Sequence, residues 1–223
     1  MTNITLPTAI FFDWDGTLVD TFGLLEQSHN HALETLGLNT DCPNEYPTGW
    51  FLKYFGGQRD QIYLDIYGAD LALTARGLFE DYFSAHHCSL ISTINGAVDL
   101  LETLKKLSIP MGVVSNKKPE FVKPEITHLG FDHYFETIVG AGQAANDKPS
   151  PDSILLGLSQ AGITPSRDVW YIGDSINDYL AAEAVGLNLV FIESSKPAST
   201  LPGKPMQVFK DCQAFNEFIL SLA

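Results

Sequence analysis

Asp13, Asp15, Ser115, Asp174 and Asp178 carry the most pointed chemistry in the sequence, because four of them stand at or just beyond the ends of short apolar runs. Asp13 and Asp15 follow Ala9-Ile10-Phe11-Phe12, Ser115 follows Met111–Val114, and Gly173-Asp174 follows Val169–Ile172. Asp147-Lys148 lies in the loop beyond a further run, Glu136–Val139. Residues that end the strands of an open parallel sheet line a common crevice, where ligands bind. Four carboxylates converging there, Asp13, Asp15, Asp174 and Asp178, would raise one another's pKa unless a cation offsets them. Such hard oxygen donors suit Mg²⁺, which keeps several waters and binds through few carboxylates plus phosphate oxygens. Lys148, Ser115, the Thr17 hydroxyl and the backbone amides of the Gly16 turn are donors for an anion. Each residue alone has an ordinary reading, as a helix cap, a turn residue or a solvated lysine. Three separate runs delivering acids or a hydroxyl to one edge favour a site.

The elements that must position these residues alternate between two periods. Ala9–Phe12, Met111–Val114, Glu136–Val139, Val169–Ile172 and Leu189–Ile192 are short apolar runs that read as buried strands. Between them lie helical patterns: Val98, Leu101, Leu104 and Leu107; Glu120 to Leu129, with Pro124 bending it or delaying its start; Ser153 to Gln160; and Ile176 to Val185. Ala214, Phe218 and Leu222 predict a terminal helix, and Ser194 to Lys204 a loop. Strands alternating with helices predict an α/β fold, a Rossmann-like parallel sheet core with helices on both faces. From Val19 to Leu90 no convincing strand is seen, and apolar residues recur at helical spacing around Ile62, Ile66, Leu71, Leu78 and Tyr82. This predicts an inserted all-helical cap at residues 19–90, with residues 1–18 and 91–223 forming the core.

Asp13-Trp14-Asp15-Gly16-Thr17-Leu18-Val19-Asp20 resembles the first motif of the haloacid dehalogenase-like hydrolases. Val113-Val114-Ser115-Asn116, Lys148-Pro149 with Pro151-Asp152, and Gly173-Asp174-Ser175 with Asp178 follow in the family's order. The segment pattern is similar to the phosphoglycolate phosphatase-like branch, whose helical cap follows the first motif. The resemblance implies Asp13 as nucleophile, becoming a transient aspartyl-phosphate, and Asp15 as general acid and then general base. It implies Thr17, Ser115, Asn116 and Lys148 at the phosphate, with Asp13, Asp15 (through its backbone carbonyl) and Asp174 at Mg²⁺ and Asp178 in support. The dehalogenase branch lacks the second aspartate and the metal, so Asp15 with Asp174 favours phosphoryl transfer. The implied activity is Mg²⁺-dependent hydrolysis of a small phosphomonoester, with phosphoglycolate as the candidate. The alternatives are a sugar phosphomutase of the beta-phosphoglucomutase type and a non-catalytic phospholigand-binding protein. Within the cap, the segment from Trp50 to Arg59 mixes aromatics with charge, and Lys53 and Arg59 are the candidates for substrate specificity.

Composition narrows the partners. Twenty-seven acidic against 13 basic residues give a net charge of -14 over 223 residues, with basic runs no longer than Lys105-Lys106 and Lys117-Lys118. Nucleic-acid backbones reward clustered cations, so a nucleic-acid partner is not expected. About half of the net charge falls in residues 19–90, where ten acids face Lys53, Arg59 and Arg76. No apolar stretch is long enough to predict a membrane span. Cys42, Cys88 and Cys212 are odd in number and far apart, poor material for a disulfide framework or zinc site, which points to a reducing cytoplasm. The expected partner is a small phosphorylated metabolite.

Overall fold

Ala9–Phe12 forms β1, and all four of its side chains are buried, as the unbroken apolar run requires of a strand covered on both faces. The structure, a computed structural model, describes residues 4–38, 59–194 and 197–223. Beyond β1, the core strands are β4 (Met111–Val114), β5 (Thr137–Val139), β6 (Val169–Gly173), β7 (Asn188–Ile192) and β8 (Gln207–Phe209). They stand in the spatial order β5-β4-β1-β6-β7-β8, every neighbouring pair parallel. The chain builds outward from β1 on one side and then crosses to β6 to build the other. The order therefore reverses between β1 and β6, and a crevice opens at their carboxyl ends.

Register decides which side chains cover which face. Phe11 pairs with Tyr171, and both join Val114, Ile154, Leu158, Ala181, Ala182 and Phe191 in one buried cluster. Helices α6 (Asp152–Gln160) and α7 (Ile176–Val185) close that face. One residue back, Ile10 pairs with Trp170, whose ring meets Phe215 and Phe218 of α8 (Cys212–Leu222) at 6.4 and 6.5 Å on the opposite face. Helix α4 (Ala97–Lys106) lies against α8 and buries Leu100, Leu101 and Leu104. Each such large apolar side chain contributes about 1.5–3 kcal/mol when fully withdrawn from water. Helix α5 (Pro119–His128) starts on Pro119 and continues through Pro124, which gives up one backbone hydrogen bond without ending the helix.

Three features differ from the sequence expectation. Gln207–Phe209 adds a sixth core strand; only half-buried at the sheet edge, it lacks the continuous apolar run that marks the others. Val19–Asp20 (β2) and Ser92–Thr93 (β3) form a two-residue antiparallel ribbon, too short to leave a periodic signal. The terminal helix buries Cys212, Phe215 and Ile219, a stripe turned from the expected Ala214, Phe218 and Leu222.

The chain divides into two compact units, Met1–Asp20 with Ser92–Ala223, and Thr21–Ile91. Among its described residues the second unit is helical, with α1 (Phe22–Thr35), α2 (Arg59–Tyr67) and α3 (Ala72–Leu90). Its core gathers Ala32, Leu33, Tyr63, Tyr67 and Ala75. His29 is buried among Tyr63, Tyr67 and Phe79, and its Nδ1 is 2.8 Å from the Tyr67 hydroxyl. Burial pulls the pKa of this imidazole down to about 3, so it is a neutral packing residue. Lys53 and the aromatic segment around it lie outside the described residues; Arg59 opens α2.

Candidate active site

The carboxyl ends of β1, β4 and β6 bring the sequence's acids and donors together. Asp13 leaves β1 with its Oδ1 accepting the Trp14 backbone N–H at 2.7 Å and facing Lys148 Nζ at 2.9 Å. The same Nζ donates to Asp178 Oδ1 at 2.7 Å and to the Tyr171 hydroxyl at 2.9 Å, and that hydroxyl donates to the Val114 carbonyl. Lys148 thus sits between two carboxylates at the switch point, with all three groups buried. Burial pulls the ammonium pKa down, but the charges of Asp13 and Asp178 outweigh it and hold it well above the ordinary lysine value. Burial also pushes the Asp13 carboxyl up to about 7; Lys148 lowers it and Asp178 raises it further. A bound cation would pull that value back down.

Local structure fixes each group. Ser175 caps α7, and Asp178, three residues on, completes a capping box: its Oδ2 accepts the Ser175 N–H at 3.0 Å and hydroxyl at 2.6 Å. The cap aims the other oxygen of Asp178 at Lys148. Asn116 holds the Lys148 backbone from both sides, accepting its N–H at 3.0 Å and donating to its carbonyl at 2.7 Å across a loop that contains a cis Lys148–Pro149 bond. Ser115 ends β4, is buried, and accepts the Lys117 N–H at 3.1 Å, which leaves its own hydroxyl proton to donate. Thr17 is fully buried in the turn after β1, with no hydrogen-bond partner for its hydroxyl among the described residues.

Asp13, Asp174 and Asp178 offer carboxylate oxygens that all lie within 4.8 Å of one another. The site therefore has the donor chemistry of a divalent cation that prefers oxygen. The contacts of the Asp13 carboxylate with Trp14 and Lys148 both fall on Oδ1, while Asp174 Oδ2 accepts the Ser194 hydroxyl at 3.1 Å. Gly16 has φ +76°, and a Cβ there would stand 2.3 Å from Asp174 Oδ2. The missing side chain lets Asp174 close on the first turn. Gly16→Ala is accordingly expected to displace the Asp174 carboxylate and weaken divalent-cation binding at least about tenfold, since metal sites respond on that scale to lost support. Calorimetric titration with Mg²⁺ checks it, and a native dissociation constant would show that the close approach does not matter.

The Asp15 carboxylate lies outside that three-acid group. Its Oδ1 accepts from Lys117 Nζ at 2.8 Å, and the same ammonium donates to Glu125 Oε2 at 2.7 Å. Glu125, fully buried on α5, also accepts the Trp14 Nε1–H at 2.7 Å. Sequence reasoning does not single out Lys117, Glu125, Tyr171 or Ser194. Glu125 leaves one signal there: with Val122 and Ile126 it occupies the inward stripe of a helix, where an acid needs a partner.

Residues 10–192 match the family described as haloacid dehalogenase-like hydrolase. The chain is 32% identical over 187 residues to phosphoglycolate phosphatase 1 of Pseudomonas aeruginosa, an alignment covering 82% of this chain and 68% of that protein. It is 27% identical over 179 residues to pyrophosphatase PpaX of Bacillus velezensis, covering 80% of each. Among solved structures, a HAD-superfamily hydrolase from Ehrlichia chaffeensis superposes with TM-score 0.70 at 29% identity, covering 99% of both chains. The motifs, the switch-point acids and these likenesses agree: the chain belongs to the haloacid dehalogenase-like hydrolase family, as a phosphoric monoester hydrolase that works through an aspartate nucleophile.

Proposed function

We propose that this protein is a Mg²⁺-dependent phosphatase of a small phosphomonoester, with phosphoglycolate as the first candidate, and that Asp13 is its nucleophile. The observation that carries this reading is Lys148 Nζ, held 2.9 Å from Asp13 and 2.7 Å from Asp178 in the crevice where three carboxylates converge. The P. aeruginosa relative supports phosphoglycolate, the candidate that the resemblance already implied, and the pyrophosphatase relative is a reason to try pyrophosphate.

The chemistry divides among the residues in two steps. Asp13 Oδ2 attacks phosphorus in line with the ester oxygen; the P–O ester bond breaks, and the departing oxygen takes a proton from Asp15. Asp15, now a carboxylate, takes a proton from water as the water oxygen bonds to phosphorus, the Asp13–phosphorus bond breaks, and phosphate is released. Lys148 offsets the charge on Asp13 and on the phosphoryl oxygens, and Ser115 donates to one of those oxygens. Mg²⁺, held by Asp13, Asp174 and the Asp15 backbone carbonyl with Asp178 behind, would supply charge neutralisation and orientation of the phosphoryl group. Asn116 serves the phosphate through the Lys148 backbone it grips, and Thr17 supports the turn. Selection among phosphomonoesters is assigned to the proposed cap, residues 19–90, with Arg59 and Lys53 as candidates. Among the described residues no helix is long and apolar enough to cross a membrane. From the odd number and wide spacing of the three cysteines, the proposed setting is the cytoplasm, with neither membrane nor nucleic acid as partner.

A parallel release assay tests the reading, run with Mg²⁺ and with chelator on phosphoglycolate, hexose phosphates, nucleoside monophosphates and pyrophosphate. Mg²⁺-dependent phosphate release, strongest on a small monoester, is the expected result. Isomerisation of a labelled hexose phosphate without release would replace it with the mutase, and no turnover on any substrate would sink both.

A further inference from the structure

We propose that Lys117, clamped by Glu125, is a positioning residue that holds the Asp15 carboxylate at the leaving-group oxygen. The inference rests on the phosphatase reading and extends it to residues outside the four motifs. Lys117 stands two positions beyond Ser115, and its side chain is 7% exposed. Its ammonium makes short charged contacts with Asp15 at 2.8 Å and with Glu125 at 2.7 Å. The two acids are unlike. Asp15 keeps 22% of its side chain open to solvent, whereas that of Glu125 is wholly covered. Glu125 is therefore shut off from any substrate, and its carboxylate acts only through what it touches.

Among the described residues Glu125 touches the two neighbours that fix Asp15. Trp14 lies between Asp13 and Asp15 in sequence, is fully buried, and donates its indole N–H to the Glu125 oxygen that Lys117 also contacts. One carboxylate oxygen thus ties down both the backbone segment that joins the two aspartates and the cation that grips the second. Burial pushes the Glu125 carboxyl up and Lys117 offsets only part of that; burial pulls the Lys117 ammonium down, but Asp15 first and Glu125 second outweigh it and hold it above its ordinary value. Buried ion pairs are weak contributors to stability, because desolvation offsets most of the attraction, and apolar residues of similar volume serve a core as well. An arrangement of this kind in the loop and helix after β4 is better explained by the place it gives Asp15. Without the tether, a mobile Asp15 has a competing attraction in any cation held by Asp13, Asp174 and Asp178.

Asp15 must deliver a proton to an alkoxide leaving group, but a nitrophenolate leaves without one. Lys117→Met and Glu125→Gln, each checked for folding by circular dichroism, are compared with native protein on an alkyl phosphate and on 4-nitrophenyl phosphate. The expected result is a loss of about 10²-fold or more in kcat/KM on the alkyl ester, the scale of general acid catalysis. The loss on the nitrophenyl ester should stay below about tenfold. A burst of nitrophenolate near one equivalent should then appear, because Asp15 also serves the second step. Equal losses on both esters would make the pair merely structural and overturn the inference, as would native ratios in both variants. If Lys117→Met does not fold, Glu125→Gln decides alone, since it keeps the shape and the Trp14 contact. Native protein that hydrolyses neither ester would instead overturn the phosphatase reading itself.

Discussion

Asp13→Asn is expected to lower kcat by about 10⁴-fold or more, the scale on which an enzyme loses its nucleophile, while the protein stays folded. The amide keeps an oxygen for the Trp14 N–H and for Lys148, so the local contacts of Asp13 survive the change. What disappears is a buried carboxylate whose pKa is raised to about 7. The sign of its effect on stability follows from that direction. In the metal-free protein the contribution of Asp13 is fully present below the unfolded value of 3.8 and is lost as pH rises through about 7. Native protein in chelator should therefore lose melting temperature between those limits more steeply than Asp13→Asn does. Mg²⁺ should return stability to the native protein at neutral pH, because it binds the folded state alone. Scanning calorimetry across this range, with and without Mg²⁺, checks both points. Parallel profiles for the two proteins would mean that the Asp13 carboxylate is not under electrostatic pressure, and retained turnover would remove it as the nucleophile.

The parts of this site legible in sequence are those carried by short-range pattern. Asp13, Ser115 and Asp174 each end a continuous apolar run, and a run that short and that apolar has few places in a fold other than a central parallel strand. Asp178 is legible for a second reason, since Ser175 three residues earlier makes a capping box that fixes its direction. Lys117 is not legible, and Glu125 shows only as an acid on the inward stripe of α5. Their meaning lies in contacts with Asp15 and Trp14 across 102 and 111 positions of chain, and nothing local distinguishes Lys117 from Lys118 beside it. Tyr171 reads as one more apolar residue of β6, and its hydroxyl gains a role only when Lys148 arrives from a loop 23 residues away. β8 escapes for the reverse reason: as an edge strand it needs little burial, so Gln207–Phe209 carries little apolar signal.

Lys148→Met is expected to damage stability and turnover by separate routes, and a second substitution can part them. Lys148 is the buried cation between Asp13 and Asp178, and its removal leaves two buried carboxylates facing each other. Breaking a buried pair from one side costs about 3–5 kcal/mol, because the abandoned charge keeps its desolvation penalty. Urea denaturation in chelator should show a loss of that order. Adding Asp178→Asn removes one abandoned charge while keeping an acceptor for the Ser175 cap, so the double variant should recover much of the lost stability. Turnover should not recover. The ammonium offsets charge on Asp13 and on the phosphoryl oxygens, and removing one such donor costs about 10²–10³ in kcat. The double variant therefore separates two accounts of Lys148. Stability restored without activity, where Asp178→Asn alone still turns over, assigns the lysine to phosphoryl transfer, whereas restoration of both would reduce it to a counterion that holds the loop after β5 in place.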